Sequence, residues 1–105
     1  MKIEEKVVQK IKESRRLEDV IEIDWQSAER NVNAAGMMTE FVVPEKMKRL
    51  PQRVLSDIPN ARLDDGTDVG FLAYFHGEHL AAIEMHLWDD DHLAIGEQTD
   101  LEWVN

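Results

Sequence analysis

The side chains best suited to chemistry are gathered in one short stretch. His76, Glu78, His79, His86, Asp89, Asp90, Asp91 and His92 include every histidine of the chain. If His76 and His79 face each other across a turn, two neutral imidazoles and a nearby carboxylate make a donor set for a divalent cation. His76 and His79 are therefore the metal candidates. The plainer expectation carries more weight: the two histidines cap an exposed turn, and no metal or other cofactor is assigned. The run Asp89, Asp90, Asp91 lacks the alternating oxygen ligands of a calcium-binding loop. Its plainer reading is a solvated turn, and its functional reading is an acidic surface that steers a basic partner.

Other chemistries find less support. There is no cysteine, which removes disulfides, thiolate metal sites and thiol nucleophiles together. The serines Ser14, Ser27 and Ser56 sit in no nucleophile elbow, and the five glycines are too scattered to cradle a phosphate. Carboxylates abound, but no pair stands out for acid–base work. The expectation is a protein that is not an enzyme. Trp25, Trp88 and Trp103 are most simply core residues, but Trp88 precedes Asp89 and Trp103 follows Glu102, and aromatic anchors ringed by charge are typical of interfaces.

Charge is distributed as unevenly as the histidines. Residues 64–105 hold eleven Asp and Glu and no Lys or Arg, a formal charge of −11 in a chain whose total is −10. Such a surface repels the nucleic-acid backbone and anionic membranes and attracts a basic protein. The first dozen residues lack the apolar run of a secretory leader, and no stretch approaches the ~18 apolar residues of a membrane span. The expected setting is cytoplasmic. A length of 105 residues suits one domain, which at this size buries roughly 60 to 70% of its unfolded surface.

Periodicity supplies the elements that must carry these residues. Ile3, Val7, Val8 and Ile11 repeat at helical spacing, with Glu4 and Glu5 in the first turn and Arg15 and Arg16 in the last. The spacing predicts a helix over 2–17, its cations forming a solvated face attracted by the acidic half. Alternation around Val20 to Trp25 predicts a short strand, and Met37 to Val43 another. Ser27 to Ala35 fits either a short helix or a loop. Pro44 can open a short helix that Pro51 stops. Leu101 to Val104 suggests a last strand.

The central expectation is a hairpin over 69–88. Two apolar runs flank His76-Gly77-Glu78-His79, and glycine at the first central position suits a type II′ turn. A regular register pairs Phe75 with Leu80, Ala73 with Ala82, and Phe71 with Glu84. It leaves Leu72, Tyr74, Ala81, Ile83, Met85 and Leu87 on one face and Val69, Phe71, Ala73, Phe75, Leu80 and Ala82 on the other. Both faces are then largely apolar, and both need cover.

The residues Asp65, Gly66, Val69, Gly70, Phe71, Leu72, Leu80, Ile83 and Glu84 resemble the hairpin of a group of small uncharacterised bacterial proteins. That pattern is an aspartate–glycine turn, VG, an apolar run, a glycine turn, then L, two small residues, an apolar residue and E. The resemblance covers about a quarter of the chain. It departs at the second turn, Gly77-Glu78 here in place of aspartate–glycine, and it implies a structure but no activity.

These readings predict a single α+β domain over 1–105: an N-terminal helix packed on an antiparallel sheet of about four strands, centred on the hairpin. The favoured function is an acidic inhibitory binding protein, of the immunity-protein type, that blocks a basic target such as a nuclease toxin. The expected contact residues are Asp64, Asp65, Asp68, Glu78, Trp88, Asp89, Asp90 and Asp91. A self-associating structural or regulatory module, with homodimers formed by helix-to-sheet docking, and a small metal-binding protein using His76 and His79 are the alternatives.

Overall fold

The computed structural model describes residues 2–15, 21–33, 36–88, 96 and 99–104. Helix α1 runs Lys2–Arg15. Seven strands follow: β1 Glu29–Asn33, β2 Gly36–Glu40, β3 Gln52–Leu55, β4 Ala61–Leu63, β5 Asp68–His76, β6 His79–Leu87 and β7 Leu101–Trp103, with a one-turn helix, α2 Glu45–Lys48, between β2 and β3. They form one sheet in the order β1-β2-β6-β5-β4-β7, and β3 pairs with the other end of the same edge of β5. Every strand pair is antiparallel. The α+β class and the central hairpin agree with expectation, and the strand count exceeds it. Among the described residues no helix is long and apolar enough to cross a membrane.

Of the strands not expected, β1 and β3 come from segments with little apolar alternation, and β4 alternates over only three residues. Glu29–Asn33 reads as a turn of helix or a loop, yet it pairs with β2 along its whole length. As a terminal strand it need bury little, so it shows none of the alternation that marks a half-buried strand. The reverse holds at Val20 to Trp25. Within that expected strand the structure shows one bridge, Glu22 parallel to His79, followed by a 3-10 turn at Trp25–Ser27. Val20 lies outside the described residues. The strand expected over Met37 to Val43 ends at Glu40.

The hairpin departs from regular pairing at one residue. Phe75 pairs with Leu80 as expected, but Tyr74 pairs with Ala82, Ala73 with Ile83, and Phe71 with Met85. The expected partners, Ala82 for Ala73 and Glu84 for Phe71, are each displaced by one. Ala81 is thus the extra residue of a β-bulge. Its carbonyl still accepts a hydrogen bond from the Phe41 amide at 2.9 Å, so the bulge does not break the tie toward β2. The reason lies in side-chain parity. Leu80 and Ile83 are three apart, and a strand with a period of two cannot bury both unless one residue is looped out. With the bulge, Leu80, Ile83 and Met85 join Val69, Phe71, Ala73 and Phe75 on one buried face. Gly77 has φ 59, as the first central position of a type II′ turn requires, and an added Cβ would meet Met47 and Leu50.

α1 covers that buried face. Ile3, Val7, Val8 and Ile11 are all buried in one cluster with Met37, Phe71, Ile83, Met85 and Leu101. Each such side chain contributes roughly 1.5 to 3 kcal/mol by leaving water. Glu4 lies on the same stripe and is fully buried. Its Oε2 accepts from Arg30 Nε at 2.8 Å and from Thr39 Oγ1 at 2.7 Å, and Arg30 Nη2 reaches Oε1. Burial opposes ionisation of Glu4, but the hydrogen bonds from Arg30 and Thr39 and the guanidinium charge outweigh it and hold the carboxyl below its usual range. At the sheet's opposite margin Lys6 pairs with Asp100 at 2.7 Å and donates to the Leu101 carbonyl at 3.0 Å, while Lys10 stands over the Trp103 ring. Hydrogen bonding to Lys6 holds the Asp100 carboxyl below its usual range. The basic helix face is therefore attracted to the acidic half, as expected, and the attraction acts within one chain.

Two outcomes follow. Ile83→Asn is expected to destabilise by several kcal/mol, whereas Ala82→Asn, on the opposite face, should cost under about 1 kcal/mol; urea denaturation measures both. A regular, bulge-free hairpin requires Ala82 to be the inward residue and Ile83 the outward one. Second, Glu4 ionises more readily folded than unfolded, so its stabilisation is complete above its ordinary value of 4.5 and is lost as pH falls through the folded value. Glu4→Ala should therefore cost about 3 to 5 kcal/mol at pH 7, by stranding Arg30, and should flatten the acid limb of the stability curve.

Candidate interaction surface

The face of the sheet turned away from α1 is the candidate site. Register fixes its members, because directly paired antiparallel residues point to the same side. One row crosses the sheet as Glu29, Glu40, Ala82, Tyr74 and Val54. The next holds Asn31, Met38, Glu84 and Leu72. At one end Asp68, Arg62 and Glu102 form a third row, and the Trp88 amide donates to the Asp68 carbonyl at 3.2 Å. None of these side chains is buried, and α1 does not cover this face; the segment 41–50 borders it, where Val42, Val43 and Lys48 share a groove with Tyr74 and Ala82.

Its chemistry is mixed in a defined way. Met38, Leu72, Tyr74 and Ala82 are half-buried at the centre, and Val54 is exposed beside them. The Tyr74 hydroxyl donates to Glu84 Oε2 at 3.0 Å. Partial burial and the Glu84 carboxylate push the phenol above its usual range, which keeps it a donor. An open groove borders this centre, lined by Met38, Glu40, Val42, Lys48, Gln52 and Tyr74. The strands place five carboxylates on this face, Glu29, Glu40, Asp68, Glu84 and Glu102, against one guanidinium, Arg62, which is paired with Asp68 at 3.0 Å. Lys48, on the groove wall, is held by Glu45 at 3.2 Å.

Trp88 stands at the edge of this face and is 59% exposed. Its ring meets His86 edge-on, with centroids 5.1 Å apart. Both rings lie over Gly70, where an added Cβ would come within 2.5 Å of His86 Nε2 and 3.1 Å of the indole. Glycine here is explained by close approach of side chains rather than by backbone conformation. The flat Gly70 surface lets an exposed tryptophan lie against the sheet.

The expected contact residues divide. Asp68 and Trp88 come together on the open face. Asp64 and Asp65 lie at the same end but in the β4–β5 turn, where they satisfy backbone groups. Asp64 Oδ2 accepts from the Asp100 amide at 2.9 Å, and Asp65 Oδ1 from the Thr67 amide at 3.0 Å. Hydrogen bonding to Thr67 holds the Asp65 carboxyl below its usual range. Glu78 sits at the opposite end of the hairpin, about 26 Å from Asp68 at the usual rise along a strand. It does not belong to the same patch. Asp89, Asp90, Asp91 and His92 lie outside the described residues.

His76 and His79 do face each other across the turn. His76 Nδ1 lies 3.0 Å from the Leu50 carbonyl oxygen, a hydrogen bond that commits one ring nitrogen. The buried Nδ1 of His79 has no hydrogen-bond partner among the described residues. Among the described residues no group of three or more His, Asp or Glu side chains is arranged to hold a metal ion. The residues that sequence reasoning overlooked are Glu29, Glu40, Tyr74, Glu84 and Glu102. Glu84 had a signal, because an acid inside an apolar strand must point to the uncovered side or be paired.

No protein-family model matches the chain, and no curated protein or solved structure is significantly similar to it. The resemblance of the hairpin stands on its own residues.

Gly70→Ala tests the platform. The added methyl should displace the His86 and Trp88 rings, shift the Trp88 indole N–H resonance, and cost about 1 to 3 kcal/mol in stability. An unmoved Trp88 resonance would show that the ring does not rest on Gly70.

Proposed function

We propose that the protein is an acidic binding antagonist, of the immunity-protein type, that blocks a basic protein such as a nuclease toxin in the cytoplasm. The observation that carries the reading is the segregation of charge. The sheet face left open by the helix holds five carboxylates and one arginine that is already paired. The cations of α1 that meet the sheet, Lys6 and Lys10, are engaged by Asp100 and Trp103 of the same chain. Within the face only Asp68 is paired, by Arg62, which leaves Glu29, Glu40, Glu84 and Glu102 without an ion pair among the described residues. Long-range attraction to a positive groove speeds encounter, and apolar anchors at the centre slow release. Carboxylates then occupy the positions that substrate phosphates fill, and inhibition needs no chemistry of the antagonist's own. Repulsion by the same charge disfavours direct contact with nucleic acid.

The alternatives draw less from the structure. Self-association through the basic helix competes with the contacts that Lys6 and Lys10 make in their own chain. A metal role for His76 and His79 lacks a third ligand among the described residues.

Purified basic nucleases, assayed one at a time, test the reading. Stoichiometric inhibition of at least one is expected, weakening as salt rises, and lost when Glu40, Asp68, Glu84 and Glu102 are replaced by their amides. Inhibition that survives this replacement, or retention of basic proteins without stoichiometry, would refute it.

A further inference from the structure

Resting on that reading, we infer that the partner docks on the centre of the open sheet face through an apolar segment bearing arginine. The guanidinium stacks on Tyr74 and is received by Glu40 and Glu84. This places the anchor at the middle of the sheet rather than in the acidic turn at Asp64 and Asp65.

Three observations converge. First, the groove has an apolar floor of Met38, Tyr74 and Ala82 and an exposed apolar wall at Val42, which is 61% exposed. Val54 is 54% exposed in the row of Tyr74. An exposed apolar patch rimmed by charge marks an interaction surface. Second, Glu29 and Glu40 are paired directly across β1 and β2. Like charges in that position oppose each other, and neither forms an ion pair among the described residues. A cation from outside relieves that repulsion. Third, Glu84 lies diagonally from Glu40, because Glu40 pairs with Ala82. The Cβ atoms of such diagonal neighbours are about 7 to 8 Å apart, which lets both carboxylates converge on one planar guanidinium. Glu84 is already oriented by the Tyr74 hydroxyl.

The charge pattern also selects among occupants. A second copy laid face to face would oppose five carboxylates to five. The acidic run Asp89 to Asp91 has the same sign as the face. A cationic segment from another protein is the complementary occupant. Arginine is favoured over lysine because its flat, weakly hydrated head can stack on a phenol ring while donating to two carboxylates.

A short helical peptide with a leucine stripe flanked by arginines, and its twin with lysine at every arginine, serve as probes in low salt. Binding is followed by amide chemical shifts of the isotopically labelled protein. The arginine peptide should move the resonances of Met38, Leu72, Tyr74 and Glu84, and bind about tenfold tighter than its lysine twin, the effect of losing one good charge-assisted contact. Glu40→Gln with Glu84→Gln should abolish that preference, and Tyr74→Phe should leave the fold intact while weakening it. Equal binding of the twins, shifts confined to Asp64 through Asp68, or no binding at all would each overturn the docking site. None of those results bears on nuclease inhibition, which stands or falls by its own assay; a wild-type protein that binds the arginine peptide at this site but inhibits no basic nuclease would instead refute the antagonist reading.

Discussion

A single extra residue, Ala81, decides which side of this sheet is the inside. Strand geometry allows only alternate residues to share a face. In β6 the large apolar residues fall at Leu80, Ile83, Met85 and Leu87, and the spacing changes from three to two after Ile83. Without the bulge the hairpin carries apolar residues on both faces, and one helix can cover only one. With it, apolar side chains gather under α1, and Ala82, Glu84 and His86 turn outward. The open face, its carboxylates and its Trp88 platform are consequences of that choice.

The helix is held on the chosen face by more than apolar contact. Glu4, Arg30 and Thr39 tie α1 to β1 and β2, and Lys6 and Lys10 tie it to β7 and its entry. A buried ion pair contributes little net stability, since both charges must be dehydrated. It does penalise any docking of the helix that leaves a charge unpaired. Here a helix that slid along the sheet would separate Glu4 from Arg30 and Thr39. The docking also uses helix cations within the chain, so on the opposite face only Arg62 offsets the carboxylates, by pairing with Asp68.

The acidic half of the sequence does three separate jobs in the structure. Asp64 and Asp65 satisfy backbone amides in a turn and in the β4–β7 junction. Asp100 pairs with the helix. Asp68, Glu84 and Glu102 face outward on the open sheet. Sequence proximity therefore overstates the patch at Asp64–Asp68 and misses Glu29 and Glu40, which come from the other half of the chain and join it across the strands. Glu78, near the histidines in sequence, is carried to the far end by the length of the hairpin.

What the sequence by itself determined is local. Helical spacing in residues 3–11 predicted α1, glycine at 77 predicted the hairpin turn, Pro44 and Pro51 bounded α2, and the charge imbalance separated a basic helix from an acidic sheet. Each rests on near neighbours or on a sum over residues, and neither needs a fold. The tertiary structure alone decided three things. It made β1, β3 and β4 strands, because the adjoining ladders pair the backbone groups of segments too weakly patterned or too short to predict as strands. It buried Glu4, which reads as an N-terminal acid favourable to the helix dipole until Arg30 arrives from 26 positions away. It also placed the bulge, because only packing against α1 distinguishes the two faces of a hairpin that is apolar on both.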